Sequence, residues 1–313
     1  MQLDSAMAKP GERLPARLAR RAVPSPSAVV ELLKPVTWFA PMWALGCGVV
    51  SAGVPVLEHL PSILGAALLA GPLVCGTSQA CNDWFDRHVD AINEPNRPIP
   101  SGRVPGRWGL GIAIAWTALS LAVGWALGPW VFVASIVGLL LAWAYSAPPL
   151  RLKLNGWWGN AAVGLCYEGL PWFTGAAALT VQMPDAHIGW LALLYSVGAF
   201  GIMVLNDFKA VEGDQALGVR SLPVQLGVRT AAVFACVVMA IPQVVVVAML
   251  AASGRPVESL VVAGLLAAQL LLMPMLIRNP RKRAPLYNAT GTTCFVLGML
   301  VSGFAVRALD TLG

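Results

Sequence analysis

The chain has 313 residues, 57% of them hydrophobic and 12% charged, with a formal net charge of +6 and a mean hydropathy of +0.70. This composition excludes a soluble globular domain and a disordered chain and fits an integral membrane protein. Membrane topology and attraction to anionic lipid and phosphate account for the positive charge, so no nucleic-acid partner is required.

Residues 1–30 are basic and mostly polar, and no cleavable signal peptide is visible in them. They are expected to form a flexible cytoplasmic segment. Arg13, Arg17, Arg20 and Arg21, spaced by Leu14 and Leu18, also permit a short interfacial helix. Nine apolar stretches follow, near 36–57, 61–82, 108–127, 129–147, 157–180, 187–205, 229–252, 257–277 and 286–306. Residues 31–313 therefore read as one all-α membrane domain of nine spanning helices. Pro41, Pro72, Pro171, Pro242 and Pro274 fall inside these stretches, as membrane helices tolerate. The six cysteines lie in or at the ends of spans and form no CxxC pair, which reads as packing.

The second stretch closes on Asn82-Asp83-Trp84-Phe85-Asp86-Arg87-His88-Val89-Asp90, followed by Glu94. The sixth closes on Asn206-Asp207-Phe208-Lys209-Ala210-Val211-Glu212-Gly213-Asp214. Together the clusters hold seven of the fifteen acidic residues. Carboxylates packed this densely repel one another and point to a bound cation. Oxygen donors without a Cys/His set suit Mg²⁺, which completes its shell with substrate phosphates. On a helix Asn82, Asp86 and Asp90 share a face, with Asp83 within reach of Asp86. Asp207 and Asp214, seven apart, share another.

With the N-terminus inside, 19 of the 21 Lys and Arg residues fall on the cytoplasmic side, leaving Arg255 and Arg307 outside. Both acidic clusters then share that side, and the C-terminus lies opposite, in the periplasm. Arg97, Arg103, Arg151, Lys153, Lys209 and Arg220 surround the clusters and supply what a departing diphosphate needs. Asn-Asp opens each cluster and an Arg/Pro stretch follows each, 124 residues and four spans apart, a faint sign of two facing half-sites. Glu168 stands well inside a span, where a carboxylate is costly and marks a functional candidate. Pairing with a helix neighbour is the alternative. His59, His88 and His187 lie near span ends, where a surface role is expected.

Three strings carry a resemblance. Asp90-Ala91-Ile92-Asn93-Glu94-Pro95-Asn96-Arg97-Pro98-Ile99-Pro100-Ser101-Gly102, Tyr145-Ser146-Ala147-Pro148-Pro149 and the run from Asn206 to Asp214 resemble the UbiA superfamily of intramembrane prenyltransferases, in its chlorophyll and bacteriochlorophyll synthase branch. Asp83-Trp84-Phe85 and Tyr167-Glu168-Gly169-Leu170-Pro171-Trp172 are more similar to the form found in purple phototrophs. The resemblance covers nearly everything after residue 30. Many relatives carry a further Asp where this chain has Ala210 or Val211. The resemblance implies a UbiA-type fold around a central cavity in a bacterial inner membrane. It implies Mg²⁺-dependent esterification of the bacteriochlorophyllide propionate by geranylgeranyl or phytyl diphosphate. Asn82, Asp86, Asp90, Asp207 and Asp214 would be catalytic, these and Asp83 would hold metal, and Glu168 and Tyr145 would contact pigment. Chlorophyllide is the alternative acceptor, and quinone or haem prenylation is more distant. A transporter would place its ionisable residues near the midplane, and a pigment scaffold would need neither acidic cluster.

Overall fold

In a bilayer the backbone must satisfy its own polar groups, and a single chain of this length does so most simply as helices. The computed structural model describes residues 23–307. Among them there is no β-strand, only an isolated bridge between Asn155 and Arg220. Arg13, Arg17, Arg20, Arg21 and the chain's C-terminus, for which an interfacial helix and a periplasmic end are expected, lie outside the described residues. The boundary expected at residue 30 falls inside a helix, α1 (Pro26–Leu33), capped by Ser25 and burying Ala28, Leu32 and Leu33.

Among the described residues seven helical stretches are long and apolar enough to cross a membrane: Val56–Asn93, Trp108–Leu127, Pro129–Ser146, Ala186–Asp207, Val228–Ala252, Pro256–Arg278 and Pro280–Arg307. The count of nine expected from the sequence is not met by this measure. The stretch near 36–57 becomes a 3-10 turn (Pro35–Trp38) and a helix of 13 residues, α2 (Phe39–Ser51). The stretch near 157–180 becomes α7 (Gly156–Gly164), a π turn (Leu165–Gly169) and α8 (Leu170–Thr180). Proline explains the irregularity. Pro171 has no N–H for the carbonyl four residues back, and the helix widens just before it. The first long stretch does the same: α3 (Leu60–Leu68) passes through a π turn (Leu69–Cys75) around Pro72 before α4 (Gly76–Asn93).

The rest are α5 (Trp108–Leu127), α6 (Pro129–Ser146), α9 (Ala186–Asp207), the short α10 (Val211–Leu217) and α11 (Leu222–Leu226), α12 (Val228–Ala252), α13 (Pro256–Arg278) and α14 (Pro280–Arg307). Sequence neighbours pack side by side, α9 on α12, α12 on α13 and α13 on α14. The last helix returns to pack on α2, closing the ring. Large apolar side chains such as Leu64, Trp125, Leu140, Leu260 and Leu271 point outward, as a surface solvated by lipid requires.

Small residues bring the inner helices together. A Cβ on Gly48 of α2 would lie 1.9 Å from the Trp172 carbonyl oxygen of α8. One on Gly175 would lie 2.3 Å from the Leu45 oxygen. Several polar groups between the inner helices are paired. Trp172 Nε1 donates to Ser51 Oγ at 3.1 Å, Trp43 Nε1 to the Val296 carbonyl at 3.0 Å, and Tyr195 and Ser302 share a hydroxyl bond at 2.8 Å. Trp172 stacks on Tyr195 at 5.5 Å.

Gly48→Val should therefore separate α2 from α8 and cost about 1–3 kcal/mol, read as a lowered Tm in detergent. Gly46→Val, with nothing within 4 Å of its Cβ, should leave Tm close to the parent value. Equal Tm values for the two variants would contradict this packing.

Candidate active site

Helix α4 carries the first acidic cluster, and cations from three separate segments meet it. Lys34, which ends α1 in the left-handed conformation at φ 47°, donates Nζ to Asp83 Oδ1 at 2.6 Å. Arg97, in the loop after α4, donates to Asp90 Oδ2 at 2.9 Å and lies 3.6 Å from Asp83. Lys153, in a 3-10 turn (Leu152–Leu154) before α7, donates to Asp86 Oδ2 at 2.5 Å. Arg151 lies 3.5 Å from Asp86 Oδ1. Burial pushes the Lys153 ammonium below its usual range, and Asp86 opposes that shift without cancelling it. Arg97 is held above its usual range: burial opposes its charge, but Asp83 and Asp90 outweigh burial.

The three acids thus have different surroundings. Asp83, expected among the metal ligands, is 0% exposed and paired with Lys34 on the side of α4 that meets α1; like Asp86, Asp90, Asp207 and Asp214, it is not among the residues lining the cavity described below. Asp86 is half-buried, with both oxygens facing cations. Asp90 is buried and bound to Arg97 through Oδ2. Asn82 lines the cavity and donates Nδ2 to Ser146 Oγ at 3.2 Å.

The second cluster begins where α9 ends. Asp207 Oδ2 accepts from Asn160 Nδ2 of α7 at 3.2 Å. Asp214, half-buried in α10, is close enough for its charge to act on Asp207. Asn206 Oδ1 accepts from Asn288 of α14 at 3.2 Å, and Arg281 pairs with Glu212 at 2.6 Å. Arg220 is joined through its backbone to Leu154 and Gly156 at 2.9 and 2.8 Å, which stitches the two cytoplasmic loops together. Lys209 and the Arg220 side chain are exposed.

Between the clusters lies a cavity of about 490 Å³. Asn82 and Asn206, which open the two clusters, both border this one space, and Tyr145 and Glu168 line it too. Arg103, expected among the diphosphate ligands, is elsewhere. Its guanidinium forks onto Glu31 of α1 and the Asn96 carbonyl at the surface. The αL turn at Gly102 precedes it in a loop that folds back on α1. Sequence reasoning missed Lys34 and Asn160. Lys34 reads as a topology charge before Pro35. Asn160 has the stronger signal, an amide within an apolar stretch.

The donor set fits a hard divalent cation. Asn82, Asp86, Asp90, Asp207 and Asp214 offer oxygens and no soft ligand. Among the described residues no three Asp, Glu, His or Cys side chains converge on one point. The nearby cations can receive phosphate oxygens.

Residues 35–306 match the UbiA prenyltransferase family. The chain is 58% identical over 292 residues to the bacteriochlorophyll synthase 33 kDa chain of Cereibacter sphaeroides, covering 93% of this chain and 97% of that one. It is 39% identical over 286 residues to the chloroplastic chlorophyll synthase of Oryza sativa subsp. japonica, covering 88% and 76%. The fold is shared with a UbiA homolog from Archaeoglobus fulgidus bound to GPP and Mg²⁺, at a TM-score of 0.65 and 20% identity, covering 90% of this chain and 99% of that one. The chain belongs to the UbiA prenyltransferase family, and it is a multi-pass membrane prenyltransferase.

Proposed function

We propose that the chain acts as a bacteriochlorophyll synthase, joining a geranylgeranyl or phytyl group from its diphosphate to the propionate of bacteriochlorophyllide and releasing diphosphate. The observation that carries this reading is the 58% identity to a bacteriochlorophyll synthase chain over nearly the full length of both. The two acidic clusters facing one apolar cavity support it chemically. At 39% the chlorophyll synthase is the more distant relative, which makes chlorophyllide the second acceptor to test.

Asn82, Asp86 and Asp90 would hold one Mg²⁺, and Asp207 and Asp214 a second. When bound, the metal withdraws charge from the diphosphate and so eases departure of the allylic group. Arg97, Arg151, Lys153, Lys209 and Arg220 bind the diphosphate oxygens and hold the released anion. Asn160 fixes the rotamer of Asp207 through its 3.2 Å hydrogen bond. The apolar walls exclude water from the allylic cation, which would otherwise be quenched to the alcohol. A carboxylate acceptor is already ionised near neutral pH, so no protein base has to remove a proton. Tyr145, between the clusters, stands where it can contact pigment and face the cation.

We also propose that α2 and the α7–α8 stretch complete nine crossings in the bacterial inner membrane, with the N-terminus cytoplasmic and the C-terminus periplasmic. The split of basic residues supports this orientation.

Purified protein with Mg²⁺, geranylgeranyl diphosphate and bacteriochlorophyllide should yield the pigment ester. EDTA should abolish turnover and Mg²⁺ restore it. Product with 4-hydroxybenzoate alone would overturn the acceptor assignment, and full activity without metal would overturn the mechanism.

Asp86→Ala and Asp207→Ala should each reduce kcat by about 100-fold or more in protein that still folds. Lys153→Ala should weaken donor use strongly. Arg103→Ala, which removes only a surface pair, should keep donor KM near the parent value. Equal loss in the Lys153 and Arg103 variants would contradict this division of the basic residues.

Reporter fusions should place 94–107, 149–155 and 278–283 in the cytoplasm and residue 313 outside. A cytoplasmic residue 313 would mean an even number of crossings.

A further inference from the structure

The cavity lining is mixed: Val74, Gly138, Leu141, Ala142 and Val163 are its apolar part, and Ser78 and Gln79 of α4, with Tyr167 and Glu168 of the π turn, are its polar part. Gln79 Nε2 donates to Tyr167 Oη at 3.4 Å, and Cys75 Sγ donates to the same oxygen at 3.7 Å. Tyr167 is thereby oriented by α4, but Glu168 is not held this way. It is 5% exposed, it borders the cavity, and its Oε2 has no hydrogen-bond partner.

An unpaired carboxyl in this setting is expensive, and the local geometry advertises it. A π turn places it there, a distortion that often accompanies a functional site. Glu168 lies twelve residues beyond the cytoplasmic start of α7 at Gly156, about 18 Å along the helix. It is therefore deep in the cavity, while Asn82 and Asn206 stand at the end where the acidic clusters lie. A prenyl tail has no polar atom to offer this part of the lining. A tetrapyrrole acceptor does. With its propionate at the acidic clusters, its opposite edge reaches inward.

Resting on the reaction proposed above, we infer that the polar part of the lining recognises the acceptor macrocycle and that Glu168 is a specificity-determining residue, donating a hydrogen bond to a peripheral carbonyl on the edge opposite the propionate. The chemistry defines the preferred ligand. Bacteriochlorophyllide carries an acetyl group on that edge, and chlorophyllide carries a vinyl group there. Acetyl oxygen accepts the Glu168 hydrogen bond, and vinyl leaves the carboxyl unpaired. Sites built around a polar partner discriminate strongly against an analogue that lacks it. Gln79 and Tyr167 shape the same polar part as positioning residues. The apolar part is left for the donor tail.

Binding should be measured by pigment absorbance in EDTA, where no turnover occurs, on the full-length protein in detergent. The parent protein should bind bacteriochlorophyllide at least about ten-fold more tightly than chlorophyllide. Glu168→Gln keeps a donor of the same length and should keep most of that ratio. Glu168→Met should bring the ratio close to one by weakening bacteriochlorophyllide alone, with donor KM unchanged in steady-state assays. Equal binding of the two pigments by the parent protein would overturn the inference without any variant. So would an undiminished ratio in Glu168→Met, or loss of donor KM rather than acceptor selectivity. Failure of the reaction itself looks different: a parent protein that esterifies neither pigment with Mg²⁺ and donor present refutes the proposed function and this inference with it.

Discussion

Charge next to a membrane has to be neutralised locally, and that constraint organises the cytoplasmic end of this protein. Asp83, Asp86 and Asp90 leave water in part or altogether, and an unpaired buried carboxylate costs several kcal/mol. Each finds a cation, and those cations come from three different segments of the chain. Lys34 arrives from the end of α1, Arg97 from the loop after α4, and Lys153 with Arg151 from the turn before α7. The ion pairs therefore fix where three connections lie. They also bring basic groups to the mouth of the cavity, where a diphosphate would need them.

The second cluster is held by weaker means. Asp207 has a neutral partner in Asn160, and Glu212 meets Arg281 at an exposed pair. The backbone bridge between Asn155 and Arg220 compensates by tying the loop after α10 to the loop that carries Lys153. One half-site is thus preassembled by charge and the other by hydrogen bonds. The two halves are unequal in another respect: the first π turn lies in the same continuous helix as its acidic cluster, whereas the second lies in α7–α8, ahead of the helix that ends at Asp207. A strict two-fold repeat, faintly indicated by the shared Asn-Asp openings, is not the arrangement of the irregular helices.

Below the clusters the requirements reverse. In the proposed reaction the helices must exclude water while still admitting a polar-edged acceptor. Close packing through Gly48 and Gly175 seals the α2–α8 contact, and paired Trp, Tyr and Ser groups leave little polar debt there. Among the described residues several buried polar atoms lack a partner, Gln243 Oε1, Gln269 Nε2 and Tyr287 Oη among them, and Glu168 Oε2 is the one that borders the cavity.

Much of this was legible in the chain itself. Hydropathy gives the membrane class and helical fold, because a bilayer leaves the backbone few other choices. The two Asn-Asp clusters pick out the candidate site, because dense carboxylates are costly in an apolar sequence. Glu168 stands out for the same reason. Other features depend on which helix faces which. Spacing along α4 groups Asp83 with Asp86, yet only the position of α1 turns Asp83 onto Lys34. Arg103 and Lys153 look equivalent as loop cations, and the fold sends one to Glu31 at the surface and the other to Asp86. Asn160 gains its role from Asp207, 47 residues away in sequence. The sequence by itself determined the solvent, the helices and the chemistry of the acids. The tertiary structure alone decided their partners, because an ion pair depends on a distance of a few ångströms that hydropathy and spacing do not encode.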